Sequence, residues 1–195
     1  ATLKNVPAFV FARDLDLYLP SIDKTVKFDI CFGGSFFAIL KAEDFCFEIV
    51  PSEAAAITKM GLEVMEEANK QHKVQHPLIP ENNKVLLAEF GIHKEGENAR
   101  NCVIFGAKNV DRSPCGTGTC AKMALLAAKG ELKPGEKFLH ESILGTVFEG
   151  HYEPGLKVGE FDTVQPYIKG TANITGFNWL VRQESDPLLP GFLLG

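Results

Sequence analysis

The sequence predicts an α+β fold in which a curved, mostly antiparallel sheet wraps round one buried helix. Most of the chain consists of short segments with the alternating pattern of strands, separated by turns that contain Pro and Gly. Two segments show helical character instead, and the second of these, residues 116–129, is apolar on nearly every side. A helix that is apolar all round is a buried helix, and a sheet wrapped round it is the simplest way to cover it.

Composition limits the classes of function. The 195 residues are 45% hydrophobic and 23% charged with a net charge of −5, so nucleic acid is not an expected partner. No apolar run is long enough to cross a bilayer, and we expect no membrane association. The five cysteines form no Cys-x-x-Cys pair, which argues against a structural zinc site. Their odd number indicates a reducing compartment, and we expect a cytoplasmic location.

Strands account for the first fifty residues. Residues 6–11 are apolar, and residues 14–19 alternate so that every second side chain is Leu. Residues 26–32 repeat the alternation after a turn. Two consecutive glycines then mark a bulge or tight turn before a further strand at residues 36–40.

The middle of the chain begins with a helix. Ser52 is a suitable N-cap, and the helical periodicity fades near His72. His72 and His76 have the spacing of two metal ligands on one helical face, but no third ligand accompanies them, so a solvated helix end is the preferred interpretation. Further strand-like segments lie at residues 84–90 and 101–107, and around Phe138, Val147 and Phe161.

Residues 109–130 contain the best candidate for chemistry. Pro114 precedes Cys115, and Gly116 and Gly118 leave backbone N–H groups accessible at the start of the buried helix, which Gly130 ends. A helix N-terminus favours anions and can lower the pKa of a thiol, so the pattern predicts a reactive Cys115. The alternative is a buried, inert thiol.

The remaining four cysteines have simpler interpretations. Three of them lie in strand-like runs and are expected to be core thiols: Cys31, Cys46 and Cys102. Cys120 lies about one helical turn after Cys115, so it is either a neighbour of the site or a packing residue.

Residues 111–119, Asp-Arg-Ser-Pro-Cys-Gly-Thr-Gly-Thr, resemble the second-cysteine signature of the proline racemase family. That family includes hydroxyproline epimerases and is related in fold to diaminopimelate epimerase. Residues 3–7 and 29–38 also resemble family segments, as do Asp-Pro at 186–187 and Gly-Phe at 191–192. The resemblance covers essentially the whole chain. It implies a cofactor-independent racemase or epimerase that acts on proline or 4-hydroxyproline, with no metal.

The resemblance also implies that half of the enzyme lies elsewhere. Family members carry a Met-Cys-Gly-His motif in an N-terminal half, and this chain has none. We therefore expect residues 1–176 to form the C-terminal lobe of a two-lobe enzyme. The apolar tail, residues 177–195, would pack against the N-terminal lobe. A homodimer is a further expected assembly.

Five residues receive roles from the resemblance. Cys115 is the second of two cysteines that act as acid and base on opposite faces of the substrate α-carbon. Gly116 and Thr117 would bind the substrate carboxylate through their N–H groups, and Asp111 its ammonium group. Asp111 can also serve simply as a turn residue. Phe105 would form an aromatic wall around the proline ring, although ordinary core packing is the better interpretation from its local sequence alone.

The residue at the signature cysteine also bears on the reaction. In relatives that are dehydratases a threonine replaces the second cysteine, so the presence of Cys115 favours racemisation or epimerisation. Two alternatives remain: a non-catalytic lobe that binds a carboxylate, and a different thiol-dependent enzyme. The second would need a histidine base, and none of the five histidines lies in a recognisable motif.

Overall fold

The computed structural model describes residues 1–93, 98–106 and 109–191. Within these residues the chain forms ten strands and two α-helices. The strands are β1 (Thr2–Lys4), β2 (Ala8–Leu19), β3 (Lys24–Phe32), β4 (Phe36–Lys41), β5 (Val85–Ile92), β6 (Ala99–Phe105), β7 (Asn109–Val110), β8 (Phe138–Glu141), β9 (Val147–Pro154) and β10 (Thr163–Lys169). The helices are α1 (Ala54–Gln71) and α2 (Gly116–Lys129).

Eight of the strands close into a barrel, so the sheet does more than curve. The strand order is β10-β2-β3-β4-β5-β6-β8-β9, and β9 pairs again with β10. The β4–β5 and β6–β8 pairs are parallel and the others are antiparallel. β1 pairs with the later residues of β10, whereas β2 pairs with its first residues. β7 pairs antiparallel with the end of β6. Closure leaves no long sheet edge exposed around the barrel.

Helix α2 occupies the interior of this barrel. It packs against β2, β3, β4, β9 and β10. Its first turn lies against Glu89 of β5 and His140 of β8, and Asn101 of β6 bonds to Pro114 directly before the helix. Its bounds agree with the sequence prediction, and Gly130 ends it with a positive φ of 73°. The apolar character of α2 is therefore explained by strands on all sides.

Helix α1 packs on the outside of the barrel, mainly against β5, β2 and β6. Its buried positions recur at helical spacing: Ile57, Gly61, Val64 and Ala68. Ile57, Val64 and Ala68 join the largest apolar cluster of the described residues. The helix begins at Ala54, after a 3₁₀ turn, and no side chain caps it. The prediction that Ser52 caps α1 is therefore wrong.

The strand predictions need three adjustments. The segments predicted at residues 6–11 and 14–19 form one bulged strand, β2. Phe161 lies in an isolated bridge just before β10 rather than in a strand. Residue 107 of the predicted strand at 101–107 lies outside the described residues.

After β10, residues 170–191 contain no helix or strand. Large apolar side chains of this segment are almost fully exposed, as Trp179 shows at 96%. Residues 192–195 of the predicted tail, including Phe192, lie outside the described residues. None of the helices in the described part of the chain is long and apolar enough to cross a membrane.

Candidate active site at the N-terminus of the central helix

Cys115 is the N-cap of α2, directly before the first helical turn. Its φ of 64° and ψ of 118° lie outside the regions that residues with a side chain normally adopt. Such a conformation costs on the order of 1–3 kcal/mol and is concentrated at functional sites. The Gly118 N–H donates to Cys115 Sγ at 3.4 Å, so the sulfur performs the usual task of an N-cap oxygen.

The turn before Cys115 is built by two side chains. Asp111 Oδ1 accepts from the Ser113 N–H and the Ser113 hydroxyl, both at 2.9 Å. The Ser113 hydroxyl oxygen in turn accepts from the Cys115 N–H at 3.1 Å. Asp111 therefore does serve as a turn residue. Its second oxygen, Oδ2, forms no hydrogen bond within the described residues.

The first N–H groups of α2 divide into two pairs. The Gly118 N–H is bonded to Cys115 Sγ, and the Thr119 N–H to the Cys115 carbonyl. The N–H groups of Gly116 and Thr117 have no acceptor in the described part of the chain. Both residues are partly exposed. Two unpaired donors at the positive end of a helix suit an anion such as a carboxylate.

The Cys115 thiol is only 6% exposed, and this burial raises its pKa to about 11. The Thr117 hydroxyl, 3.6 Å from Sγ, and the Gly118 N–H act in the opposite direction but less strongly. The carboxylates of Asp111 and Glu89 raise the pKa further. The expected lowering of this pKa is thus wrong for the chain alone, because desolvation outweighs the helix N-terminus. Near neutral pH Cys115 is a thiol, which is a proton donor.

Phe105 is the predicted site residue that lies outside the Cys115 turn. Phe105, at the end of β6, is 38% exposed, so it is not the core residue that its local sequence suggested. It pairs with Asn109 of β7, from which the chain enters the Asp111 turn. Thus the structure groups Asp111, Cys115, Gly116 and Thr117 in one turn, with Phe105 on the adjoining strand.

The remaining cysteines differ in exposure. Cys31 and Cys102 are buried as predicted, but Cys46 is exposed because it follows a surface 3₁₀ turn. Cys120 is buried, and its sulfur accepts from Asn5 Nδ2 at 3.0 Å. It is therefore a packed, hydrogen-bonded residue of α2.

Four buried polar side chains lie beneath the first turn of α2, and we call them the polar cluster: Glu89, Asn101, Thr119 and His140. Thr119 belongs to the signature at residues 111–119, but Glu89, Asn101 and His140 were not predicted to be near the site. Glu89 is a charged residue at a buried position of the otherwise apolar strand β5, and this was the signal that could have revealed it. His140 lies beside Glu141 in the short strand β8, which gave no such signal.

Of the two histidines that were predicted to lie at a solvated helix end, His72 is the C-cap of α1 and is partly exposed, whereas His76 lies beyond the helix and is buried. His76 is buried against the rings of Phe9 and Phe32, and this burial lowers its pKa. Its Nδ1 accepts from the N–H groups of Leu78 and Ile79, so it organises the loop after α1. In the described ranges, no group of three or more His, Cys, Asp or Glu residues has the arrangement of a metal site.

Comparison with proteins of known structure first defines the class. A hydroxyproline epimerase from Agrobacterium vitis, solved with trans-4-hydroxy-L-proline bound, matches with a TM-score of 0.86 at 33% identity. The match covers 99% of this chain and 55% of that one. The class that this fold defines therefore includes hydroxyproline epimerases.

Sequence comparison then defines the family. Residues 1–193 match the family model described as proline racemase, and the chain belongs to the proline racemase family. It is 48% identical over 193 residues to a proline racemase from Clostridioides difficile, which covers 97% of this chain and 57% of that protein. It is 38% identical over 193 residues to a 4-hydroxyproline epimerase from Brucella ovis, with the same coverage. The family is one of isomerases, and the chain spans a little over half the length of these curated relatives.

Proposed function

We propose that this chain is the C-terminal lobe of a cofactor-independent racemase or epimerase for proline or 4-hydroxyproline, in which Cys115 is one of two proton-carrying cysteines. The observation that carries the proposal is the Cys115 turn: a strained, buried thiol beside two N–H groups at a helix N-terminus that have no acceptor among the described residues. The backbone strain of this turn is retained although glycine would relieve it, which is typical of functional sites.

Stereoinversion at an α-carbon needs a base on one face and an acid on the other. The Cys115 thiol is suited to donate the proton, since burial keeps it protonated near neutral pH. The N–H groups of Gly116 and Thr117 would bind the substrate carboxylate, where negative charge develops as the α-proton leaves. The free Oδ2 of Asp111 would accept from the substrate ammonium group, and Phe105 would border the ring.

In the reverse direction Cys115 has to act as the base, which requires the thiolate. A bound ammonium group would favour the thiolate by adding a nearby positive charge. The second cysteine would come from the N-terminal lobe, because one thiol cannot serve both faces of the α-carbon. This division agrees with the share of the relatives' length that the chain spans.

The exposed tail supports a partner lobe. Several large apolar side chains after β10 are more than four-fifths exposed: Ile174, Phe177, Trp179, Leu180 and Val181. An apolar surface of this kind marks an interaction site. We propose that it packs against the N-terminal lobe.

The test is uptake of deuterium at Cα from D₂O, followed by NMR with L-proline and 4-hydroxyproline as substrates. We expect the full-length protein to invert one of them with uptake of deuterium at Cα, and Cys115→Ser to abolish this inversion, because a hydroxyl is a far poorer base than a thiolate. Cys46→Ser is the matched control and should retain activity, since Cys46 is an exposed surface residue. Undiminished inversion in Cys115→Ser would remove Cys115 from the mechanism, and inversion by the 195-residue chain alone would contradict the two-lobe arrangement.

A further inference from the structure

Glu89 is a fully buried carboxyl group directly beneath the candidate site. Its side chain has no exposed surface, and neither carboxylate oxygen has a hydrogen-bond partner in the described residues. A methyl group placed on Gly118 would lie 2.8 Å from Glu89 Oε2 and 3.3 Å from Cys115 Sγ. The carboxyl group and the thiol thus border the same glycine of the first helical turn. Buried carboxylates without partners are rare, since the cost of desolvating the charge is not offset.

We propose that Glu89 is a positioning residue for the acid/base function of Cys115: near neutral pH the two groups together hold one negative charge, which lies on Glu89 while Cys115 is a thiol and lies on Cys115 only while Glu89 is protonated. The two states carry the same single negative charge: one proton is on Cys115 Sγ when Glu89 is ionised and on the Glu89 carboxyl group when Cys115 is a thiolate. An S–H bond is thus exchanged for an O–H bond, and the N–H proton of the neutral His140 ring changes place between Nε2 and Nδ1. This inference rests on the proposed function, because it concerns how Cys115 can hold and release a proton.

The electrostatic surroundings support a shared charge. Burial raises the pKa of Glu89 to about 7, although Lys122 and, more weakly, the neighbouring Asn101 amide lower it. In return, the Glu89 charge raises the pKa of Cys115. Two like charges in one buried pocket cannot both form easily, so their titrations are coupled. The polar and titratable groups that interact electrostatically with Glu89 come from four elements. They are Cys115 and Lys122 at the start of α2 and on α2, Asn101 and Cys102 on β6, Cys31 on β3 and His140 on β8.

The hydrogen bonds of His140 and Thr119 can be arranged to fit either an ionised or a protonated Glu89. His140 Nε2 lies 4.0 Å from Glu89 Oε1, and His140 Nδ1 lies 2.9 Å from the Thr119 hydroxyl oxygen. Burial lowers the pKa of His140 to about 3, so the ring is neutral and has two tautomers.

Each tautomer matches one state. When Thr119 donates to Nδ1, the Nε2–H group faces an ionised Glu89. When Nδ1–H donates to Thr119, Thr119 donates to the Pro114 carbonyl at 3.3 Å, and the bare Nε2 faces a protonated Glu89. Asn101 Nδ2 donates to the same Pro114 carbonyl at 2.9 Å, and its Oδ1 has no donor in the described residues. A protonated Glu89 adds one donor to a cluster that lacks donors.

The test is an NMR titration of the 195-residue chain labelled with ¹³C at cysteine Cβ and glutamate Cδ. Signals are assigned with Cys115→Ser and Glu89→Gln. We expect the Glu89 midpoint near pH 7, and in Glu89→Gln a Cys115 midpoint about one pH unit lower, which means about tenfold more thiolate at any lower pH. Glu89→Asp, which keeps the charge, should restore the original Cys115 midpoint.

Two results would overturn the proposal: a Glu89 midpoint below pH 5, or an unchanged Cys115 midpoint in a folded Glu89→Gln chain. If the Gln variant does not fold, Cys115→Asp provides the second measurement. Its carboxyl group competes with Glu89 for the same negative charge, so the Glu89 midpoint should differ from that in Cys115→Ser, and an equal midpoint in both would refute the coupling. The coupling is measured without turnover, so it stands or fails separately from the loss of inversion in Cys115→Ser.

Discussion

Cys46 and Cys115 are both residues with a side chain and a positive φ, 57° and 64°, and each caps a helical segment. Cys46 ends the 3₁₀ helix Ala42–Phe45 with a ψ of 28°, the ordinary left-handed conformation of a C-cap. Its N–H donates to the Ala42 and Glu43 carbonyls, and its side chain is exposed. Cys115 begins α2 with a ψ of 118°, and its side chain is buried.

The difference between these two turns shows what distinguishes a candidate site from a structural cap. A positive φ occurs in both, so backbone conformation alone does not identify the site. The Cys115 turn adds a buried thiol, two unpaired N–H groups and a buried carboxyl group beneath them. These features are costly for stability and have no structural purpose at a simple cap.

The largest expected contrast between the two cysteines is in reactivity. Near pH 7 we expect iodoacetamide to modify Cys46 first and Cys115 about two orders of magnitude more slowly, because Cys115 is buried and its pKa is about 11. The sequence pattern, with a reactive Cys115 and with Cys46 among the core thiols, predicts the reverse order. The Cys115 rate should rise about tenfold per pH unit between pH 7 and 10, as the thiolate fraction does.

Timed alkylation with peptide mass spectrometry measures both rates. The control is Cys46→Ser, which should remove the fast product and leave the Cys115 rate unchanged. Equal rates for the two cysteines at pH 7 would show that the Cys115 turn is open or that its thiol ionises far more readily than burial predicts.

A smaller effect separates the two roles of Asp111. Asp111→Asn keeps the oxygen that accepts from Ser113, so the turn and the stability should be preserved within about 0.5 kcal/mol. In the full-length protein the substitution removes the proposed partner of the substrate ammonium group. We expect the binding free energy to weaken by about 1.5–3 kcal/mol, the usual contribution of a charged hydrogen bond.

Calorimetric titration with substrate and urea unfolding measure the two effects separately. Asp111→Ala is the comparison variant, and it should lose both stability and affinity. An unchanged substrate affinity in Asp111→Asn would leave Asp111 as a turn residue only.

The sequence was sufficient for α2 and insufficient for its surroundings. The apolar character of residues 116–129 and the stop at Gly130 are local properties, and they predicted the helix bounds correctly. Barrel closure depends on β10 pairing with both β2 and β9, and periodicity indicates which face of a strand is buried but not which strand is its partner. The pKa of Cys115 likewise depends on burial by distant strands, so the helix N-terminus alone predicted the wrong direction.

The smallest effect tests how tightly the Cys115 turn is packed, with two neighbouring glycines as a matched pair. A Cβ on Gly118 would lie 2.8 Å from Glu89 Oε2 and 3.2 Å from Cys115 Cβ, whereas one on Gly116 would meet nothing within 4 Å. We expect Gly118→Ala to lower the free energy of unfolding by about 1–3 kcal/mol through overpacking.

Gly116→Ala, in contrast, should raise the free energy of unfolding by up to about 0.5–1 kcal/mol, because alanine favours the helix and restricts the unfolded chain. Urea unfolding of both variants measures the difference. Equal effects on the free energy of unfolding would mean that Glu89 and Cys115 are not tightly packed against Gly118.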